Sequence, residues 1–176
     1  TSLGILICSK SQVSNYLFLS IKRNYIQARN LRAEAQTKIS DYDSIMGRAE
    51  KDYESLRKRG IACKAFSDKG DVVCVTRMCW NHIFKHPITR PSKIDKLERA
   101  MSLPLAIKLL EKTTTYQEVS KERDKGGNHY LAFGIIGYVR GNRIKVILRK
   151  QEKHTNAQLV LYSFYQMSHA PTKKVT

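Results

Sequence analysis

Residues 129–150 read HYLAFGIIGYVRGNRIKVILRK, and the second half of that stretch alternates apolar with charged side chains after a glycine turn. Successive side chains of a strand point to opposite faces, so Ile144, Val146 and Leu148 share one face and Arg143, Lys145, Ile147 and Arg149 the other. A Gly141-Asn142 turn makes the stretch a hairpin of two strands, 129–139 and 143–150. Such a hairpin buries one face under other elements and leaves the second open. Here the open face carries cations, the side chains that phosphates require.

The flanking residues extend this hairpin into a meander. TTTYQEV, residues 113–119, is β-branched and alternating and reads as the preceding strand, followed by a charged loop over 121–128. A polar loop, QEKHTNAQ, leads to a last strand over 159–167, and a loose basic tail follows. Upstream, residues 72–75 read as a short apolar strand, and Thr76 is placed to cap the helix RMCWNHIFKH, which Pro87 ends. Ser92 caps KIDKLERAM, and LAIKLLEK forms a further helix with Pro104 near its start. Gly134 and Gly137 fall inside a strand and mark bulges or close packing. The expected class is α+β: about three helices packed on a four-stranded antiparallel sheet.

Residues 1–65 read differently. LGILIC near the start is a strand or a buried helix, which periodicity does not decide at that length. From 15 to 59 there is no proline and one glycine, and Ala35, Ile39, Tyr42, Met46, Ala49, Tyr53 and Leu56 recur at spacings of four and three. That is one apolar stripe on a long helix, a packing seam rather than a coiled-coil dimer. Arg57, Lys58 and Arg59 suit its negative end, and Gly60 its C-cap. The reading is therefore a helical segment over 1–65, for linking, entry into a cell or oligomerisation, ahead of a domain over 66–176. A first residue of Thr points to a piece of a longer chain.

Lys and Arg number 32 against 15 acidic residues, a formal net charge of +17. Such an excess repels itself in a compact state and calls for a polyanionic partner: nucleic acid first, then an anionic membrane surface or an acidic protein. No run approaches the ~20 apolar residues of a membrane span. Cys8, Cys63, Cys74 and Cys79 form no CxxC pair, so a reduced cytosolic state is the default. Cys74, Cys79, His82 and His86 are suitable zinc ligands, but their spacing matches no common zinc motif, and no cofactor is expected. No phosphate-binding glycine loop, HExxH or GxSxG is present.

The order VCVTRMCWNHIFKHP, RPSKIDKLERAMSLP, LAIKLLEKTTTYQEV, YLAFGIIGYVRGNRIKVILRK and LVLYSFYQ resembles the phage and polymorphic-toxin branch of the barnase–EndoU–colicin–RelE-like (BECR) nucleases, over residues 72 to 167. The resemblance implies a metal-independent endoribonuclease toxin with RNA, specifically tRNA, as substrate. It also implies a cognate acidic immunity protein, and action in the cytoplasm of a target or host cell as the C-terminal part of a secreted or phage protein.

Such an enzyme deprotonates a ribose 2′-OH, stabilises charge at phosphorus and protonates the leaving 5′-oxygen. His82 and His86 lie four apart on one helix, and His86, at the helix end, is the preferred base or acid. Arg149 and Arg90 are candidate phosphate clamps. Tyr116 would stack on a base or donate a proton, with Thr115 as its alternative. On the last strand, Ser163 and Tyr165 are preferred over Tyr162 and Phe164, which alternation sends the other way. Arg143, Lys145, Lys150 and a lysine beside Ile94, in SKIDK, complete the expected RNA-binding set.

Overall fold

The computed structural model describes residue 32 and residues 34–66, 71–85, 91–152 and 157–167. The described residues include the helices α1 (Tyr42–Arg59), α2 (Arg77–Phe84) and α3 (Lys93–Lys112) and two sheets. β1 (Ile61–Cys63) and β2 (Asp71–Val73) pair antiparallel. β3 (Glu118–Arg123), β4 (His129–Val139), β5 (Asn142–Gln151) and β6 (Val160–Gln166) form an antiparallel meander in sequence order. The α+β class expected from the sequence is what the chain adopts. Among the described residues, no helix is long and apolar enough to cross a membrane.

The hairpin of β4 and β5 turns at Arg140 and Gly141, at φ 50° and 78°, one residue before the expected Gly141-Asn142. Two positive φ values define the tight turn whose twist matches that of the flanking strands. Ile144, Val146 and Leu148 are fully buried on the face toward α3. α1 adds Ala49, Tyr53 and Leu56, and α2 adds Trp80, Ile83 and Phe84, to the same core. The expected division at residue 65 falls between β1 and β2, which pair with each other.

Three expectations are corrected. α3 is one helix where two were read, and Pro104 lies in its interior rather than near a start. The Ser92–Asp95 capping box fixes the start, and burial of Leu97, Leu103 and Leu110 holds the length. Pro104, on the exposed side, removes only one helix hydrogen bond. The strand read over 113–119 begins at Glu118 and runs to Arg123, into the expected loop. Thr113 caps α3, and its hydroxyl donates to the Thr115 carbonyl at 2.8 Å, a local bond that competes with strand pairing. The helix expected to run unbroken to Arg59 is interrupted by a 3-10 turn at Ile39–Asp41, where Ser and Asp weaken helix propensity.

Two local features build the site. Cys74 N–H donates to the Leu159 carbonyl at 2.7 Å and Leu161 N–H to the Cys74 carbonyl at 2.9 Å, which places α2 beside β6. The register of β6 against β5 also shifts: Ile147 faces Ser163 but Leu148 faces Leu161, leaving Tyr162 as the extra residue of a β-bulge.

Candidate active site

A cleft of about 950 Å³ opens between α2, the 124–126 turn and the ends of β5 and β6. Arg149, Tyr130, Tyr162, His82, Gln151 and Gln158 are among its walls. At its centre the Arg149 guanidinium carbon lies 3.3 Å from the centre of the Tyr162 ring and 5.9 Å from that of Tyr130. The face of a tyrosine attracts a cation, and a planar guanidinium stacks on it. Arg149 also pairs with Glu122 of β3, while its buried Nε has no acceptor among the described residues. The His82 ring, on α2, lies 4.4 Å from that of Tyr162 at 30°, with Nδ1 3.5 Å from the Tyr162 hydroxyl.

Glu122 reaches Arg149 although β4 runs between their strands. On the face shared by Arg149, β4 presents Ala132 and Gly134 between Tyr130 and Ile136. These small residues let carboxylates pass over to cations about 10 Å away, two strand spacings. The same device works one row along: Glu118 crosses Gly134 to pair with Lys145 at 2.5 Å. A Cβ on Gly134 would meet Glu118 Oε2 at 2.6 Å. The expected cationic sheet face is therefore partly neutralised, since its two central cations each hold a carboxylate from β3.

The rim is set by the turn after β3. The Asp124 carboxylate accepts from Asn128 N–H at 2.9 Å, from the Asn128 amide at 3.0 Å and from the Tyr130 hydroxyl at 3.3 Å. Those bonds, Asn128 foremost, hold the Asp124 carboxyl below its usual range, so it is ionised near neutral pH. Burial, together with Asp124, raises the Tyr130 phenol.

The expected site residues separate. Arg149 is central. Lys145 belongs to the neighbouring row, where Glu118 raises its pKa and the Tyr165 hydroxyl is a further partner. Tyr165 lines a smaller hollow together with Ser163, which is buried opposite Ile147. The bulge breaks the alternation that favoured these two and brings Tyr162 to the Arg149 side. Tyr116 precedes β3 and stacks on Phe66 at 5.3 Å and against Phe133, on the helix side of the sheet, away from Arg149. Thr115 lies in the same connector. Lys150 alternates to that side too, Arg143 sits beside the β4–β5 turn, and Lys93 lies 5.4 Å over the Tyr42 ring in the first turn of α3 with Ile94. His86 and Arg90 lie outside the described residues. Glu122, Tyr130 and Tyr162 were not among the expected residues. One sequence signal pointed to Glu122: Glu118 and Glu122 are spaced as Lys145 and Arg149 are.

Among the described residues no group of three or more His, Cys, Asp or Glu is placed to hold a metal ion. Cys79 is buried and its thiol is pushed up to about 12 by that burial, while Cys74 donates to Gln158 Oε1 at 3.2 Å. A thiol that resists ionisation is a poor zinc ligand. No family model matches this sequence, and no curated protein or solved structure matches it either.

Proposed function

We propose that the chain is an endoribonuclease that cleaves RNA by attack of a ribose 2′-OH on the adjacent phosphate, without a metal ion. The observation that carries this reading is that Arg149 and His82 meet on Tyr162 in one open cleft, with the Glu122 carboxylate paired to Arg149 beside it. Arg149, fixed by stacking and by Glu122, offers a planar pair of donors to the phosphate and to the charge that grows on it. A carboxylate beside it is the base that takes the 2′-proton, and the imidazole is the acid that returns one to the 5′-oxygen. Glu122 and His82 are the groups of those types beside Arg149, with Tyr130 as a surface on which a base stacks. The sequence resemblance to BECR nucleases points the same way. From that resemblance come tRNA as the preferred substrate, delivery to the cytoplasm of a target or host cell, and an acidic immunity protein that covers the cleft. The net charge of +17 makes such a partner complementary.

Incubation of total RNA with the protein in EDTA tests this. Discrete fragments ending in 2′,3′-cyclic phosphate are expected. Arg149→Ala, Glu122→Gln and His82→Ala should each lower cleavage by about 10²–10³, the effect of losing one donor or one proton-transfer group. His86→Ala, run beside them, tests the other histidine of that helix. Salt-sensitive RNA binding with intact RNA in every lane would make the chain a binding module instead.

A further inference from the structure

The open side of the sheet carries two parallel rows. In the first, Glu122, Arg149, Tyr162 and His82 succeed one another from β3 through β5 and β6 to α2. In the second, Glu118, Lys145, Tyr165 and Arg99 do so from β3 through β5 and β6 to α3. Each runs carboxylate, cation, tyrosine, then a basic residue on a helix. Four residues separate the rows along β5, about 13 Å. A hollow of about 450 Å³, lined by His82, Ile83, Arg99, Ser163, Tyr165 and Gln166 among others, adjoins the second row. His82 lines both this hollow and the larger cleft.

We propose that the hollow around Arg99 is a second phosphate subsite, which holds a phosphate about two nucleotides along from the one at Arg149 in the same nucleic-acid chain. Among the described residues the Arg99 guanidinium donates to the Phe164 carbonyl at 2.9 Å, and its carbon stands 5.6 Å from the centre of the Tyr165 ring. Among the described residues no carboxylate forms an ion pair with it. Asp95 and Glu98 line the hollow as well and act on Arg99 through their charge, and Arg32 meets both, at 3.1 and 3.2 Å. Burial lowers the Arg99 pKa, the mark of a desolvated cation. A guanidinium in that state, with donors unspent and an aromatic ring under it, is built for a phosphate. Lys145, the cross-strand partner of Tyr165, is balanced by Glu118 and helps to fix the ring through its hydroxyl.

The proposal rests on the nuclease reading in taking the cleft at Arg149 as the first phosphate site, and its test separates the two. Cleavage of a dinucleoside monophosphate is compared with cleavage of the same dinucleotide carrying two further phosphodiester-linked nucleotides on either side. The wild type should favour a longer substrate by about tenfold in kcat/KM, the value of one charge-assisted contact. Arg99→Gln should bring that ratio close to one, and Arg99→Lys should retain part of it. A variant that folds poorly lowers both rates and leaves the ratio, so a ratio in Arg99→Gln equal to that of the wild type overturns the subsite. The same molecules made with 2′-deoxyribose cannot be cleaved by 2′-OH attack, and their binding is read by calorimetry. If the wild type cleaves nothing but Arg99→Gln still loses the preference for the longer chain, the subsite stands and the nuclease reading falls. If cleavage occurs and neither measurement depends on Arg99, the subsite falls alone. Inorganic phosphate bound as tightly as the longer deoxynucleotide would make the hollow a free-anion site and also overturn it.

Discussion

Arg149 is the residue on which the cleft depends, and Tyr162 is the residue on which Arg149 rests. A cation 3.3 Å from a ring centre is stabilised by the ring itself, by about 0.5–2 kcal/mol depending on solvation. The Tyr162 hydroxyl contributes separately, through His82 at 3.5 Å. Two substitutions divide these roles. Tyr162→Leu removes the platform and should lower RNA cleavage about tenfold by loosening the guanidinium. Tyr162→Phe keeps the platform and should stay within about threefold across the pH range. Steady-state rates across pH 5 to 9 measure both, and equal losses would remove the stacking account. Tyr162 was hidden in the sequence by a single bulge: strict alternation sends it to the core face, and one extra residue reverses that. Arg149 was legible because β5 has no bulge of its own and its alternation is unbroken.

At the scale of elements, legibility follows burial. β4 and β5 were readable almost to the residue because one face of each is core. β3 was misplaced because it is an edge strand exposed along nearly its whole length, so no apolar period marks it. Its carboxylates went unseen with it, though they hold the sheet cations. The unbroken α3 was obscured by Pro104, whose propensity is overridden by the apolar face packed on the sheet. That packing is close: a Cβ on Gly137 of β4 would stand 2.5 Å from Leu109 Cδ1. Gly137→Ala should destabilise the fold by about 1–3 kcal/mol through overpacking, seen as a lower urea midpoint with an unchanged slope. The start of α3 carries a pH signature. Asp95 accepts from Ser92 N–H at 3.0 Å and its pKa is lowered, chiefly by the Ser92 hydroxyl. A carboxyl whose folded pKa lies below its unfolded value stabilises the fold above that unfolded value, and the contribution drains as pH falls through the folded one. Asp95→Asn should therefore cost about 0.5–1 kcal/mol at pH 6, kept small by solvent exposure, and less at pH 2.5. Thermal melts of both proteins at the two pH values check the sign.

For the whole molecule, the charge and the chemistry come from different places. The net charge of +17 attracts any polyanion, whereas Lys145 and Arg149 are locally balanced by Glu118 and Glu122. Affinity for a nucleic acid should then be spread over many surface cations, each releasing counterions, and fall steeply with salt. Cleavage should hang on one guanidinium held flat against a ring. Arg149→Lys separates the two. It preserves the charge, so binding of an uncleavable 2′-deoxy oligonucleotide should change by less than about threefold, with the same slope of log affinity against log salt. It removes the planar fork and the stack on Tyr162, so cleavage of the matching RNA should fall about a hundredfold. Anisotropy titrations from 50 to 200 mM NaCl beside single-turnover cleavage measure the pair. A loss of binding as large as the loss of cleavage would mean that Arg149 is an affinity contact like any other, and the cleft would lose its claim to the chemistry.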